Sequence, residues 1–229
     1  MSISSFINIE STTINGIPII ARVVNVARLG GIGNPNTAKA LLEYTPPIDG
    51  NLKKAILSIF VTGKDLSIGF RWKVKYCGVT LSREFRPQII TSANDISHAV
   101  LVFDITPVVL ANLKTHEVLV SYDGIHPIIL DGITMLTLYE HKDSISILNY
   151  SIGVSIIKPN SSETFNIGIR PLKDSNTSLT LSYYTPSRYS AIEIAINDRT
   201  MGTYLSLIHI LRAHETSLHL VCRLLLEKK

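Results

Sequence analysis

The chain has 229 residues, with 22 basic against 18 acidic side chains and two cysteines. The basic residues are not clustered as a nucleic-acid footprint requires, and no apolar run reaches the length of a membrane span. Ile, Val, Thr, Ser and Tyr are abundant, which suits pleated, half-buried surfaces and leaves little for helices.

In chain order, residues 6–9 and 17–26 are apolar and β-branched, with Asn15-Gly16 between them as a hairpin signal. Residues 29–36 (LGGIGNPN) form a loop; they lack both the G-x-G-x-x-G spacing and the Lys-Ser/Thr of a phosphate-binding loop. A strand is predicted at 37–44, a turn at 46–50, a strand at 55–61 and a turn at 63–65. Residues 69–76 alternate most clearly: Phe70, Trp72, Val74 and Tyr76 against Arg71, Lys73 and Lys75, one face apolar and one basic. Cys77-Gly78 is a tight turn into 79–81, and 99–103 is another strand. A short helical turn at 106–112 follows Asp104 or Thr106 as a cap. Strands at 117–122 and 132–140 complete the series, punctuated by Asp123-Gly124 and Asp131-Gly132. Many short strands at this spacing predict an all-β, antiparallel, jelly-roll-like β-sandwich over residues 1–148.

A second unit is expected from 149 to 204, with strands at 162–169, 179–184 and 192–196. Residues 73–81 (KVKYCGVTL) and 193–201 (EIAINDRTM) share a shape: strand, two-residue turn, then Thr and an apolar residue. This reads as a truncated second copy of the first domain.

The last segment, 205–229, reads LSLIHILRAHETSLHLVCRLLLEKK. Residues 205–210 resemble the translated mosaic end of transposase-made DNA libraries. Residues 211–216 resemble the adjoining adapter after a one-base slip, and 219–226 the flow-cell adapter, followed by an adenine run at 227–229. Three blocks in the right order identify the tail as translated adapter. Its four basic and two acidic residues removed, 18 basic and 16 acidic side chains remain. Cys77 then stands alone, so no intrachain disulfide forms, and a lone strand cysteine is ordinarily a small buried hydrophobe. Within the tail, His209, His214 and His219 are five apart, which on a helix separates them by about 140°, so they do not form a ligand face.

Val74 to Leu81, then Val102-Phe103-Asp104-Ile105-Thr106, then Glu117-Val118-Leu119-Val120, is similar to the galactose-binding-like jelly rolls that accompany glycoside hydrolases. Leu136-Thr137-Leu138-Tyr139-Glu140 resembles the last strand of related archaeal cell-surface sandwiches, often arranged in tandem. The resemblance covers about residues 50–150, with a partial second copy to Tyr204. It departs from the pattern at Cys77, where the hairpin Asn is expected.

No converging nucleophile, base or carboxylate pair is legible, so the chain is read as a non-enzyme. His98, His116, His126 and His141 lack ligand spacing. Trp72, Asp104, Asp123 and Asp131 are the candidate ligand-binding residues; the three carboxylates would need to share a face to hold Ca²⁺, and otherwise no cofactor is expected. Asp104 and Thr106 also have a structural reading, closing a local turn through their side chains. Asn149, Asn160 and Asn176 match the glycosylation acceptor pattern at predicted loops and favour an extracellular or cell-surface location, although Met1-Ser-Ile-Ser-Ser lacks a charged leader start. The expected function is a structural, adhesive or carbohydrate-binding module of an exported prokaryotic protein. Its partners would be glycans or other surface proteins, not nucleic acid. The alternatives are an accessory domain of a larger glycoside hydrolase and a viral or appendage structural protein.

Overall fold

Period-two alternation governs most strands, and its failures mark where a second layer covers the sheet. The computed structural model describes residues 3–64, 66, 71–93, 95–110, 113–156, 161–167, 178–184, 190–196, 199–204, 208–214 and 220–228. Nine strands build the first unit: β1 (Ile3–Leu29), β2 (Thr37–Glu43), β3 (Asn51–Gly63), β4 (Arg71–Tyr76), β5 (Val79–Ser82), β6 (Ile89–Ala93), β7 (Ile96–Asp104), β8 (Thr115–Asp123) and β9 (Ile128–Ile156). Among the described residues the only helical element is a 3-10 turn, Thr106–Val108. The fold is all-β and sandwich-like.

Sheet A has the order β1-β9-β3-β7-β6 and sheet B the order β2-β8-β4-β5, with every pairing antiparallel. In β2, β4 and β8 every second residue is buried, so sheet B packs one face on sheet A and opens the other to water. Leu42, Trp72, Val74, Tyr76, Val118, Val120 and Tyr122 meet Leu57, Ile59, Val61, Leu101, Leu130 and Ile133 in the inner core. Each such fully buried side chain contributes about 1.5–3 kcal/mol relative to exposure.

β3 instead buries five consecutive residues, 55–59. Its inner-facing residues join the core above. Its outer-facing Ile56, Ser58 and Phe60 are covered by the far half of the β1–β9 ribbon. The two strands pair along nearly their whole lengths, from Leu29↔Ile128 to Ile3↔Ile156, and shift register between Asn15 and Gly16. Beyond that shift Ile7, Ile9, Tyr150 and Val154 pack with Phe60, Ile89, Val100 and Ile152 on the outer side of sheet A, and β1 lies next to β6. Ser58 Oγ meets the Tyr150 hydroxyl at 3.4 Å, and Lys54 pairs with Glu10 across the same interface.

Two turn expectations are corrected here. Asn15-Gly16 is not a hairpin, because β1 runs straight through it and pairs with β9 instead of itself. Gly16 is needed for contact, since a Cβ there would lie 1.9 Å from the Tyr139 carbonyl oxygen. Asp131-Gly132 is not a turn either. Phe60 pairs with Gly132 and Val61 with Leu130, which leaves Asp131 as the extra residue of a bulge. Cys77-Gly78 is a turn as expected, with φ of 43° and 84°, both positive as a type I′ hairpin requires. β6 lies in a segment, 82–98, where no strand was expected.

Residues 149–156, assigned from sequence to the second unit, continue β9, and Ile152 is buried in the first unit's outer cluster. Asn149 accordingly sits within a strand, accepting from the Asn8 amide at 2.8 Å, not in a loop. Asn160 and Asn176 lie outside the described residues, as do Phe70 and the predicted turn at Asn197-Asp198.

The remaining strands are β10 (Ser161–Ile167), β11 (Ser178–Tyr184), β12 (Ser190–Ile196), β13 (Arg199–Tyr204), β14 (Ile208–His214) and β15 (Leu220–Lys228). They form sheets of order β10-β15-β12-β13 and β11-β14. The adapter-like tail therefore supplies β14 and β15. Its apolar stretches are compatible with strands and pair antiparallel with β11, β10 and β12.

One polar network crosses the inner core. His116 is fully buried; its Nε2–H donates to the Leu113 carbonyl at 3.0 Å, which leaves Nδ1 to accept from the Tyr76 hydroxyl at 2.5 Å. The Tyr44 and Tyr76 rings both stack with His116, at 5.0 and 5.8 Å between centroids. The Tyr44 hydroxyl meets that of Tyr139 at 2.7 Å and so links this network to sheet A. Burial pushes the Tyr44 and Tyr76 hydroxyls well above their ordinary range and lowers His116, so the network is neutral at ordinary pH.

Candidate functional site

The alternation that turns Trp72 and Tyr122 inward turns Arg71, Lys73, Ser121 and Asp123 outward on sheet B. Register lines them up. Ser121 of β8 faces Thr37 of β2 on one side and Lys73 of β4 on the other. Val74 pairs with Ser82 at the end of β5, and Arg83, the next residue, lines the same groove as Lys73. Asp123 faces Arg71, with an ion pair at 3.9 Å between exposed groups. The Thr37 hydroxyl donates to Ser121 Oγ at 3.3 Å. Asn36 is held at the rim because its carbonyl accepts from the Tyr122 backbone N–H at 2.8 Å. Together these residues line an open groove of about 410 Å³ with Trp72 and Tyr122 beneath.

Of the four sequence candidates, the groove gathers two. Asp123 is on its rim. Trp72 contributes only to the floor, because it is 2% exposed and packs edge-on against Phe85 at 5.2 Å, which leaves no ring face for a ligand. Asp104 lies elsewhere and makes a local turn. Its Oδ1 accepts from the Thr106 N–H at 3.0 Å and from the Thr106 hydroxyl at 2.6 Å, while Thr106 Oγ1 accepts from the Ala55 N–H at 2.9 Å. The Thr106 hydroxyl bond holds the Asp104 carboxyl below its usual value. Asp104 and Asp131 flank β3 at Ile56 and at Phe60–Val61, which separates them by about 15 Å along the strand. Asp123 belongs to the other sheet. The shared carboxylate face expected for Ca²⁺ does not form, and among the described residues no three His, Cys, Asp or Glu side chains converge as metal ligands.

Asp131 has partners that were not foreseen. Thr62 Oγ1 donates to Asp131 Oδ2 at 2.6 Å and meets His98 Nδ1 at 2.7 Å. Thr62 has one hydroxyl proton; given to Asp131, it requires His98 to donate from Nδ1. Burial raises the Asp131 carboxyl to about 6, against which the Thr62 bond acts, and burial lowers His98. A carboxyl whose folded value exceeds its unfolded one stabilises fully below the unfolded value, and that stability is lost as pH rises through the folded one. Asp131→Asn is therefore expected to be more stable than the parent at pH 7 by about 2 kcal/mol, with the gap closing between pH 6 and 4. Urea midpoints at four pH values check this, and a parent as stable as the variant at pH 7 would contradict it.

Arg83 was not distinguished in the sequence, because only the fold brings the residue after β5 into the same groove as Lys73. The alternating Arg71, Lys73 and Lys75 were legible as a basic face, without a hint of the hydroxyls that β2 and β8 bring to it.

The fold and groove define an all-β sandwich with one open polar sheet face. No family model and no curated protein matches the chain. Among solved structures, it is similar to dimeric latent PorU from Porphyromonas gingivalis, with 8% identity and a TM-score of 0.36 over 96% of this chain and 20% of that one. It is also similar to a conserved protein of unknown function from Pseudomonas aeruginosa PAO1, with 8% identity and a TM-score of 0.16 over 93% of this chain and all of that one. The chain thus spans about a fifth of the PorU chain's length.

Proposed function

We propose that the chain is a non-catalytic binding module of an exported or surface-displayed protein, and that the sheet B groove holds carbohydrate. The observation that carries this reading is the groove's lining. Two hydroxyls, an amide, three cations and one carboxylate face a common open volume of about 410 Å³. Convergent donors and acceptors on a rigid sheet suit a ligand rich in hydroxyl groups. The rigidity comes from the sandwich beneath, which removes most of the ordering cost of binding.

A register common to two strand pairs supports reading the chain as a tandem surface protein. Around the β4–β5 turn, Tyr76 pairs with Val79 and Lys75 with Thr80, and then the ladder jumps to Val74↔Ser82. Around the β12–β13 turn, Ile196 pairs with Arg199 and Ala195 with Thr200, and then the ladder jumps to Ile194↔Gly202. The two strand pairs share the register next to their connection and the position of the jump. β15, from the adapter-like tail, lies against β12 as β8 lies against β4.

The test is a glycan array probed with the full chain, with neutral and acidic saccharides. Saturable binding to a defined glycan class is expected. No binding across a diverse array would reject the reading and leave a purely structural role.

A further inference from the structure

We infer that the sheet B groove selects acidic saccharides, those bearing carboxylate or sulfate groups, over neutral ones; this rests on the carbohydrate-binding reading above. The groove's charge is unbalanced. Asp123 is its one carboxylate, and it pairs with Arg71. The neighbouring acids are engaged elsewhere, Glu117 with Lys39 at 2.5 Å and Glu84 with Arg86 at 2.5 Å. Among the described residues, neither Lys73 nor Arg83 has a carboxylate within ion-pair distance. Both line the same groove, Lys73 on β4 and Arg83 one residue past the end of β5, and like charges brought together in this way are unfavourable until an anion is shared between them. Arg83 offers a planar fork suited to carboxylate or sulfate, and Lys73 a point charge.

The row Thr37–Ser121–Lys73 crosses three strands, each about 4.8 Å from the next, and Arg83 extends the groove just past the end of β5. That step is close to the length of one pyranose in a chain. A short acidic oligosaccharide laid across the strands would set an anionic group over Lys73 and Arg83 and hydroxyls over Thr37, Ser121 and Asn36. Neutral sugars are held largely by stacking on exposed rings, yet both aromatic residues of the groove are buried, Trp72 at 2% and Tyr122 at 3% exposure. The same absence disfavours single-stranded nucleic acid, whose bases need a stacking platform.

The test is titration of the full chain with polygalacturonate, heparin, neutral dextran and a single-stranded oligonucleotide. Polygalacturonate or heparin is expected to bind, with affinity falling as salt rises. Lys73→Gln and Arg83→Gln are each expected to lose at least tenfold, whereas Lys142→Gln, outside the groove, binds unchanged. Binding of dextran, unaffected by the two groove variants, overturns the selectivity while sparing the carbohydrate reading. Tighter binding of the oligonucleotide than of either acidic saccharide overturns it in favour of nucleic acid. Failure to bind any saccharide overturns both.

Discussion

Alanine at position 72 is expected to destabilise the first unit by about 3–5 kcal/mol, the range for removing a buried Trp from a well-packed core. Trp72 is 2% exposed and lies in the inner cluster between the sheets, its ring meeting Phe85 at 78°. The void cannot collapse easily, because Trp72 sits on β4, which is paired to β8 on one side and β5 on the other. The urea midpoint should fall with little change in slope. Trp72→Phe keeps part of the packing and should lose less stability while retaining saccharide affinity. A loss under about 1 kcal/mol for Trp72→Ala, together with loss of saccharide binding, would mean that the ring serves the ligand and not the core.

Gly16→Ala is expected to cost about 3 kcal/mol or more, through overpacking against backbone. The new Cβ would approach the Tyr139 carbonyl oxygen to 1.9 Å and its carbon to 2.9 Å, and neither can rotate away. The site is also where the β1–β9 ribbon changes register, from Gly16↔Glu140 to Asn15↔Ile145. A displaced backbone there should loosen the far half of the ribbon from sheet A, exposing Phe60 and Val100. Amide exchange would show this as lost protection at residues 3–14 and 145–156. Gly78 makes the contrast. Nothing lies within 4 Å of a Cβ there, and the strain comes only from its φ of +84°, so Gly78→Ala should cost about 1–2 kcal/mol. Equal losses at the two positions would refute the contact account of Gly16.

Strands facing water on one side were legible because alternation is a local property. Thr37–Glu43, Arg71–Tyr76 and Thr115–Asp123 each bury every second residue, as their sequences imply. The β4–β5 turn was legible for a similar reason, since Cys77-Gly78 needs no distant partner to fix its geometry. β1 was misread as two strands separated by a turn, and β9 as a strand at 132–140 that begins after a turn and ends before a second unit at 149. Asn-Gly and Asp-Gly mark turns only when the chain folds back there, and both ladders on either side of these residues are held by partners more than a hundred residues away or in another strand. β6 escaped notice because its five residues, Ile-Ile-Thr-Ser-Ala, are too short and mixed to signal alone.

The candidate residues divide along the same line. Asp104 and Thr106 interact within two residues, so their turn was readable from sequence. Asp123 and Trp72 were named for their chemistry, but which of them faces outward depends on strand register. By itself, the sequence determined the all-β class, the basic face of β4 and the β4–β5 turn, because these depend on residue type and spacing of two. Only the tertiary structure decided that Lys73, Arg83, Thr37 and Ser121 share one groove, that Thr62 joins Asp131 to His98, and that the β1–β9 ribbon covers sheet A. Those juxtapositions arise from ladder registers and bulges between strands far apart in the chain, where a shift of one residue would turn every side chain to the opposite face.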